Sequence, residues 1–145
     1  DYSIMKDLDM RLSYKRNNTI STFNGVERTL PLQPYERALV NFTYANILDK
    51  WFFDITANYI GKSRIPENII DNEIFSPSFI LLNSQLTYKW QGNDIYAGVE
   101  NITSYTQPNP IIDPENPFGS DFDASLIWAP VMGRTVYVGV RYRIN

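Results

Sequence analysis

Carboxylates, amides and aromatic rings carry what chemistry this chain has, because it contains no histidine and no cysteine. Without cysteine no disulfide and no thiolate metal site can form. Without histidine the usual zinc ligand and the usual general base are gone, and most hydrolase schemes go with them. No catalytic residue and no cofactor are therefore expected. The acids Asp113, Glu115, Asp121 and Asp123 lie close together. Loop carboxylates suit calcium, but this spacing fits no ion-binding motif, so solvated loop acids are the expectation. Asn-x-Ser/Thr sequons begin at Asn17, Asn41 and Asn101, and all three read as chance matches.

Composition narrows the partners. Net charge is -3, and no Lys/Arg cluster could track a phosphate backbone, so nucleic acid is set aside. Aromatic residues make up 14% of the chain, which favours strands over helices. No signal peptide opens the sequence, and it begins Asp1-Tyr2-Ser3 without an initiator Met, as a mature or trimmed piece would. No run of about 18 apolar residues could form a transmembrane helix. A membrane-spanning strand, however, needs only about 9–11 residues of alternating character.

Such alternation recurs six times. The apolar rows are Leu8, Met10, Leu12, Tyr14; Ala38, Val40, Phe42, Tyr44; Trp51, Phe53, Ile55, Ala57, Tyr59; Ile80, Leu82, Leu86, Tyr88, Trp90; Ile95, Ala97, Val99; and Val136, Val138, Val140, Tyr142, Ile144. Between them stand Asp7, Asp9, Arg11, Ser13; Arg37, Asn41, Thr43; Asp54, Thr56, Asn58; Asn83, Gln85, Thr87, Lys89; Tyr96, Gly98, Glu100; and Arg141, Arg143, with Leu39 breaking the polar row of the second strand. Six strands follow. Their connections run long (15–34), short (46–50), long (62–78), short (91–94), long (103–134). In an antiparallel series this puts every long loop at one end and every tight turn at the other, as in outer-membrane barrels.

A soluble β-sandwich also alternates, and three features weigh against it. One is the loop asymmetry. Another is charge segregation, with Lys6, Glu36 and Asp94 outside the polar rows but at strand ends. A charge at mid-bilayer on a barrel's outer face costs roughly 2–4 kcal/mol for Arg or Lys. The third is the gathering of Tyr44, Trp51, Tyr88, Trp90 and Tyr142 near the short-turn ends of the apolar rows. Tyr and Trp suit a membrane–water boundary, where the ring is buried and the polar tip stays wet. The expected fold is thus an antiparallel transmembrane β-barrel. Because natural single-chain barrels start at about eight strands, residues 1–145 would be one part of a larger barrel, in contact with outer-membrane lipid.

The last third, with Gly98-Val99-Glu100-Asn101-Ile102 followed by Trp128-Ala129-Pro130 and Gly133-Arg134-Thr135-Val136, resembles the C-terminal end of TonB-dependent outer-membrane receptors. Gly98-Val99-Glu100-Asn101-Ile102 is similar to the family's penultimate strand. Tyr105-Thr106-Gln107-Pro108-Asn109-Pro110 and Phe122-Asp123-Ala124-Ser125 resemble its last outer loop. Trp128-Ala129-Pro130 and Gly133 to Tyr142 resemble the loop's return and the final strand, and Tyr59-Ile60-Gly61 with Ser63-Arg64 resembles an earlier strand end. The resemblance implies a 22-strand barrel around a plug that lies outside this sequence, with this chain supplying the last six strands. It implies uptake of a scarce nutrient (ferric siderophore, cobalamin, haem or oligosaccharide) energised through a TonB partner. Family barrels usually end on an aromatic residue, whereas this sequence ends Ile144-Asn145.

Candidate positions follow from that orientation. Asp54, Asn83, Lys89, Glu100 and Arg141 would face the lumen and could touch plug or substrate. For Glu100 and Arg141 the plainer expectation is a cross-strand charge pair. Gly98 and Gly139 would leave room for the plug. Tyr105, Gln107 and Asn109 could line an outer ligand site, and Phe118 and Trp128 are expected to pack the loop on itself. Were the chain a soluble glycan-binding sandwich instead, Trp51, Trp90 and Trp128 would be the stacking candidates.

Overall fold

The computed structural model describes residues 1–23, 25–46, 48, 50–66, 74–120 and 122–143. The sequence expectations for Asp121, Ile144 and Asn145 fall outside these residues. Every regular element is a strand. Seven form one antiparallel sheet: β1 (Tyr2–Met5), β2 (Leu8–Arg16), β5 (Glu36–Ala45), β6 (Trp51–Ile60), β9 (Phe79–Trp90), β10 (Asn93–Glu100) and β11 (Thr135–Arg141). They lie side by side in that order. The long connections carry two small hairpins, β3 (Ile20–Phe23) with β4 (Val26–Thr29), and β7 (Arg64–Ile65) with β8 (Ile74–Phe75). The six expected strands are present. The seventh, β1, was missed because four residues are too few to show a period. It turns into β2 at Lys6-Asp7, where Asp7 takes φ 68.

Register joins the alternating rows into two unlike faces. On the apolar face one line of directly opposed residues runs Leu8, Tyr44, Phe53, Leu86, Ala97, Val138 across six strands. The next line, on the other face, runs Asp9, Thr43, Asp54, Gln85, Gly98, Tyr137. Ser84, opposite Ile55 and Val99, is a polar residue in the middle of the apolar face, and Arg16, Glu36 and Asn93 are others at strand ends. Nothing described covers that face. Leu12 is 64% exposed, Val136 73% and Val138 78%, while the buried hydrophobic residues are Phe79 and Ala129. Burial of apolar area normally drives folding, and among the described residues this apolar face is not buried in a core.

The ends of the sheet differ as the loop lengths suggested. Gln91 (φ 50) and Gly92 (φ 81) form the two-residue hairpin between β9 and β10, both in the left-handed region such turns require. Trp51 and Tyr88 are directly opposed beside these turns, with ring centroids 4.5 Å apart. At the long-loop end of the apolar face, Glu36 accepts hydrogen bonds from the hydroxyls of Tyr14 (2.8 Å) and Tyr59 (3.3 Å). That accounts for a carboxylate among apolar residues. Between Trp51 and Tyr59 the apolar row extends about 26 Å along the strand.

Three sequence expectations need correction. Asp94 lies on the polar face, directly opposite Arg141, because it continues the row of Tyr96, Gly98 and Glu100. Arg141 bonds to Asp94 at 3.1 Å and not to Glu100. Glu100 stands opposite Thr135, about 20 Å along the strand from Arg141. Gly98 and Gly139, thirdly, leave no empty room. Tyr137 lies over Gly98 and Tyr96 lies over Gly139, each filling the space a Cβ would take. Their rings meet edge to face at 6.3 Å.

These two glycines should differ in tolerance. A Cβ on Gly98 also meets the backbone oxygen of Ser84 at 2.9 Å, which cannot swing aside, whereas on Gly139 the nearest obstacles are atoms of the Tyr96 ring. Gly98→Ala is expected to lower stability by about 1–3 kcal/mol and Gly139→Ala by less. The order of the two denaturation midpoints is the check.

Candidate functional site

The polar face falls into three zones along the strands. In the middle, Asn41, Asp54, Thr56, Asn83, Gln85, Glu100 and Tyr137 line an open hollow of ≈ 330 Å³. Strand pleating aims these side chains to one side, and the register sets them abreast. Thr43 donates to Asp54 Oδ1 at 2.6 Å, Asn41 Nδ2 to Thr56 Oγ1 at 2.9 Å, and Tyr137 to Gln85 Oε1 at 2.9 Å. The hollow therefore offers a hydrogen-bonding wall with two carboxylates. It brings together three of the positions proposed from sequence, Asp54, Asn83 and Glu100.

The other two, Lys89 and Arg141, sit at the short-turn end. Lys89 places Nζ 3.9 Å from the centroid of the Phe52 ring, a cation–π contact. Arg141 is tied to Asp94, whose side chain is 7% exposed against 68% for the arginine. Both cations thus have partners within the sheet.

At the long-loop end, the 103–134 connection folds back over the polar face. Phe79 on β9 stacks on Tyr105 (4.9 Å, 7° between planes) and meets Trp128 at 6.0 Å. Trp128 packs as expected, whereas Phe118 is 99% exposed and does not. Gln107 is buried and fully engaged. Its Nε2 donates to the Leu126 carbonyl at 2.8 Å, and its Oε1 accepts from the backbone N–H groups of Trp128 (2.8 Å) and Ala129 (3.2 Å). Tyr105 and Gln107 therefore build the loop. Asn109 is exposed, with φ 48.

Asn101 is the residue whose role the sequence concealed. It follows the last residue of β10, at φ 51, and is 7% exposed. Its Nδ2 donates to the carbonyls of Tyr105 (2.7 Å) and Met132 (3.3 Å), and its Oδ1 accepts from the Tyr105 N–H at 2.9 Å. Its own N–H donates to Asn83 Oδ1 at 2.8 Å. One side chain thus clasps the start and finish of the loop, while its backbone fastens both to the wall. The available signal was an Asn at a strand end, where left-handed φ and local side-chain bonding are characteristic.

Among the described residues no three His, Cys, Asp or Glu gather to hold a metal ion. Asp123 is committed locally. Ser125 donates to it through both hydroxyl and N–H at 2.7 Å, and these bonds hold its carboxyl below the usual carboxylate range. A depressed folded value adds stability above the unfolded one, and that stability is lost as pH falls through the folded value. Acidification through that range should release the Ser125 amide, seen as faster hydrogen exchange there than at Gln107.

Asn101→Ala should free the loop. It removes several hydrogen bonds at a buried site, each worth about 1 kcal/mol net, and puts alanine at positive φ. Limited proteolysis should cut 103–134 much faster in this variant, and no faster in Asn109→Ala.

Compared with known proteins, the chain matches no family model, no curated protein and no solved structure.

Proposed function

We propose that this chain is part of the wall of an outer-membrane β-barrel transporter of the TonB-dependent kind, with the apolar face against lipid and the polar face lining the lumen. The observation that carries this reading is the apolar face. It is continuous over six strands, uncovered, and bounded by tyrosines and tryptophans at its ends. Lipid would cover it at little cost, whereas water would not. The two edges of the sheet support the same reading. In the described structure β1 and β11 each pair on one side only, and unpaired backbone groups are expensive in hydrocarbon. Further strands, outside this sequence, would close the barrel around a plug.

In this arrangement the hairpin-bearing and long connections face outward, and the turns face the periplasm. The wall needs no catalytic group for uptake. Its work is to hold a polar passage and to present a folded outer loop to the arriving nutrient. A soluble β-sandwich would need a second sheet on the apolar face, and the strands of the large sheet contact chiefly their own neighbours.

Neighbouring residues on opposite faces give the test. Ile55 and Thr56 are adjacent on β6, one in each row. In the full-length protein, Ile55→Arg should cost roughly 2–4 kcal/mol of insertion into liposomes. Thr56→Arg should insert almost normally. Heat-modifiable mobility on gels reads both. A wild-type protein that stays folded and monomeric without detergent would overturn the proposal.

A further inference from the structure

The polar face is not polar everywhere. At the long-loop end, two lines of opposed residues run Ser13, Leu39, Asn58, Leu81 and Lys15, Arg37, Ile60, Phe79. Leu39, Ile60, Leu81 and Phe79 thus form an apolar floor where the pleat should present polar groups. The loop segment 127–130 roofs this floor without filling the space, leaving a groove of ≈ 670 Å³. That is ample for a small organic molecule.

Charge at the groove is one-sided. Lys15 and Arg37 line it, and no carboxylate does. The two cations are directly opposite one another on β2 and β5, a like-charge pairing that is itself unfavourable. Among the described residues neither lies in an ion pair, although Arg11 and Arg141 on the same face do. An anion held between them would offset the repulsion, with charge-assisted hydrogen bonds from both. Beside it, the floor and Trp128 would take an apolar surface.

We infer that this groove binds an anionic organic ligand with a flat apolar face, rather than a neutral oligosaccharide. The inference rests on the reading of this face as the inner wall of a transport barrel, and it narrows the nutrient class.

The test uses the full-length protein in detergent and pyrenetetrasulfonate as the probe, read by fluorescence anisotropy. The wild type should bind it, more weakly as salt rises. Lys15→Gln with Arg37→Gln should weaken binding about tenfold or more, and Trp128→Leu severalfold. Excess maltohexaose should not displace the probe. Heat-modifiable mobility is measured on every variant, and Lys15→Gln alone replaces the double change if that fails to fold. Unchanged affinity in the charge variants, or displacement by maltohexaose, would refute the inference. So would a wild type that ignores the probe and a double variant that melts lower, since a carboxylate of the protein itself would then occupy the site. Normal membrane insertion alongside any of these results would leave the transporter reading intact.

Discussion

Backbone hydrogen bonding between antiparallel neighbours is the interaction on which everything else in this chain depends. Most folded domains lean on a buried core. Here, among the described residues, the buried hydrophobic ones are Phe79 and Ala129, and the long strands join edge to edge in one layer. The ladder therefore bears the cohesion, and its strength varies with the medium. A net contribution of about 1 kcal/mol per bond in water grows where water cannot compete. The same ladder sorts the side chains, because its pairing keeps each row with its own kind. Two unlike surfaces arise from a single covalent rule, the alternation of successive Cβ atoms.

Departures from the rule sit where something else must be accommodated. Glu36 stands among apolar residues but is held by two tyrosine hydroxyls at the rim. Gly98 and Gly139 give up their side chains, and the rings of Tyr137 and Tyr96 occupy the space. The apolar floor beneath residues 127–130 interrupts the polar face under the returning loop. In each case a residue of the wrong polarity or size for its row has an identifiable neighbour that gives it a purpose.

Much of the architecture was legible in the sequence, because period-two alternation is a local signal. Six strands, two unlike ends and the faces of Asp54, Asn83 and Glu100 could all be read from it. Pairing across strands could not. The Glu100–Arg141 pair had the right face, but register comes from the ladder, and it delivers Asp94 to Arg141. The loop residues were legible in kind and not in role. Tyr105 and Gln107 look like ligand contacts in sequence, but Tyr105 is held by Asn101 and the Phe79 ring, and Gln107 by Leu126 and Trp128, 19 and 21 positions away. Leu39 was visible as an exception, while its companions Ile60, Leu81 and Phe79 became a surface only after two registers were known.

The clasp at Asn101 also bears on the cost of closing the sheet. Strands β9 and β10 are joined by two residues and can zip as they meet. Strands β10 and β11 are separated by the whole 101–134 segment, and closing it costs roughly 2 kcal/mol more in chain entropy. Asn101 touches Tyr105 and Met132 together, so in the folded sheet it holds the far end of the segment beside β10, next to the first rung of β11, Glu100 with Thr135. One amide thereby ties positions 31 residues apart, and its bonds offset part of the entropy that closing the segment costs.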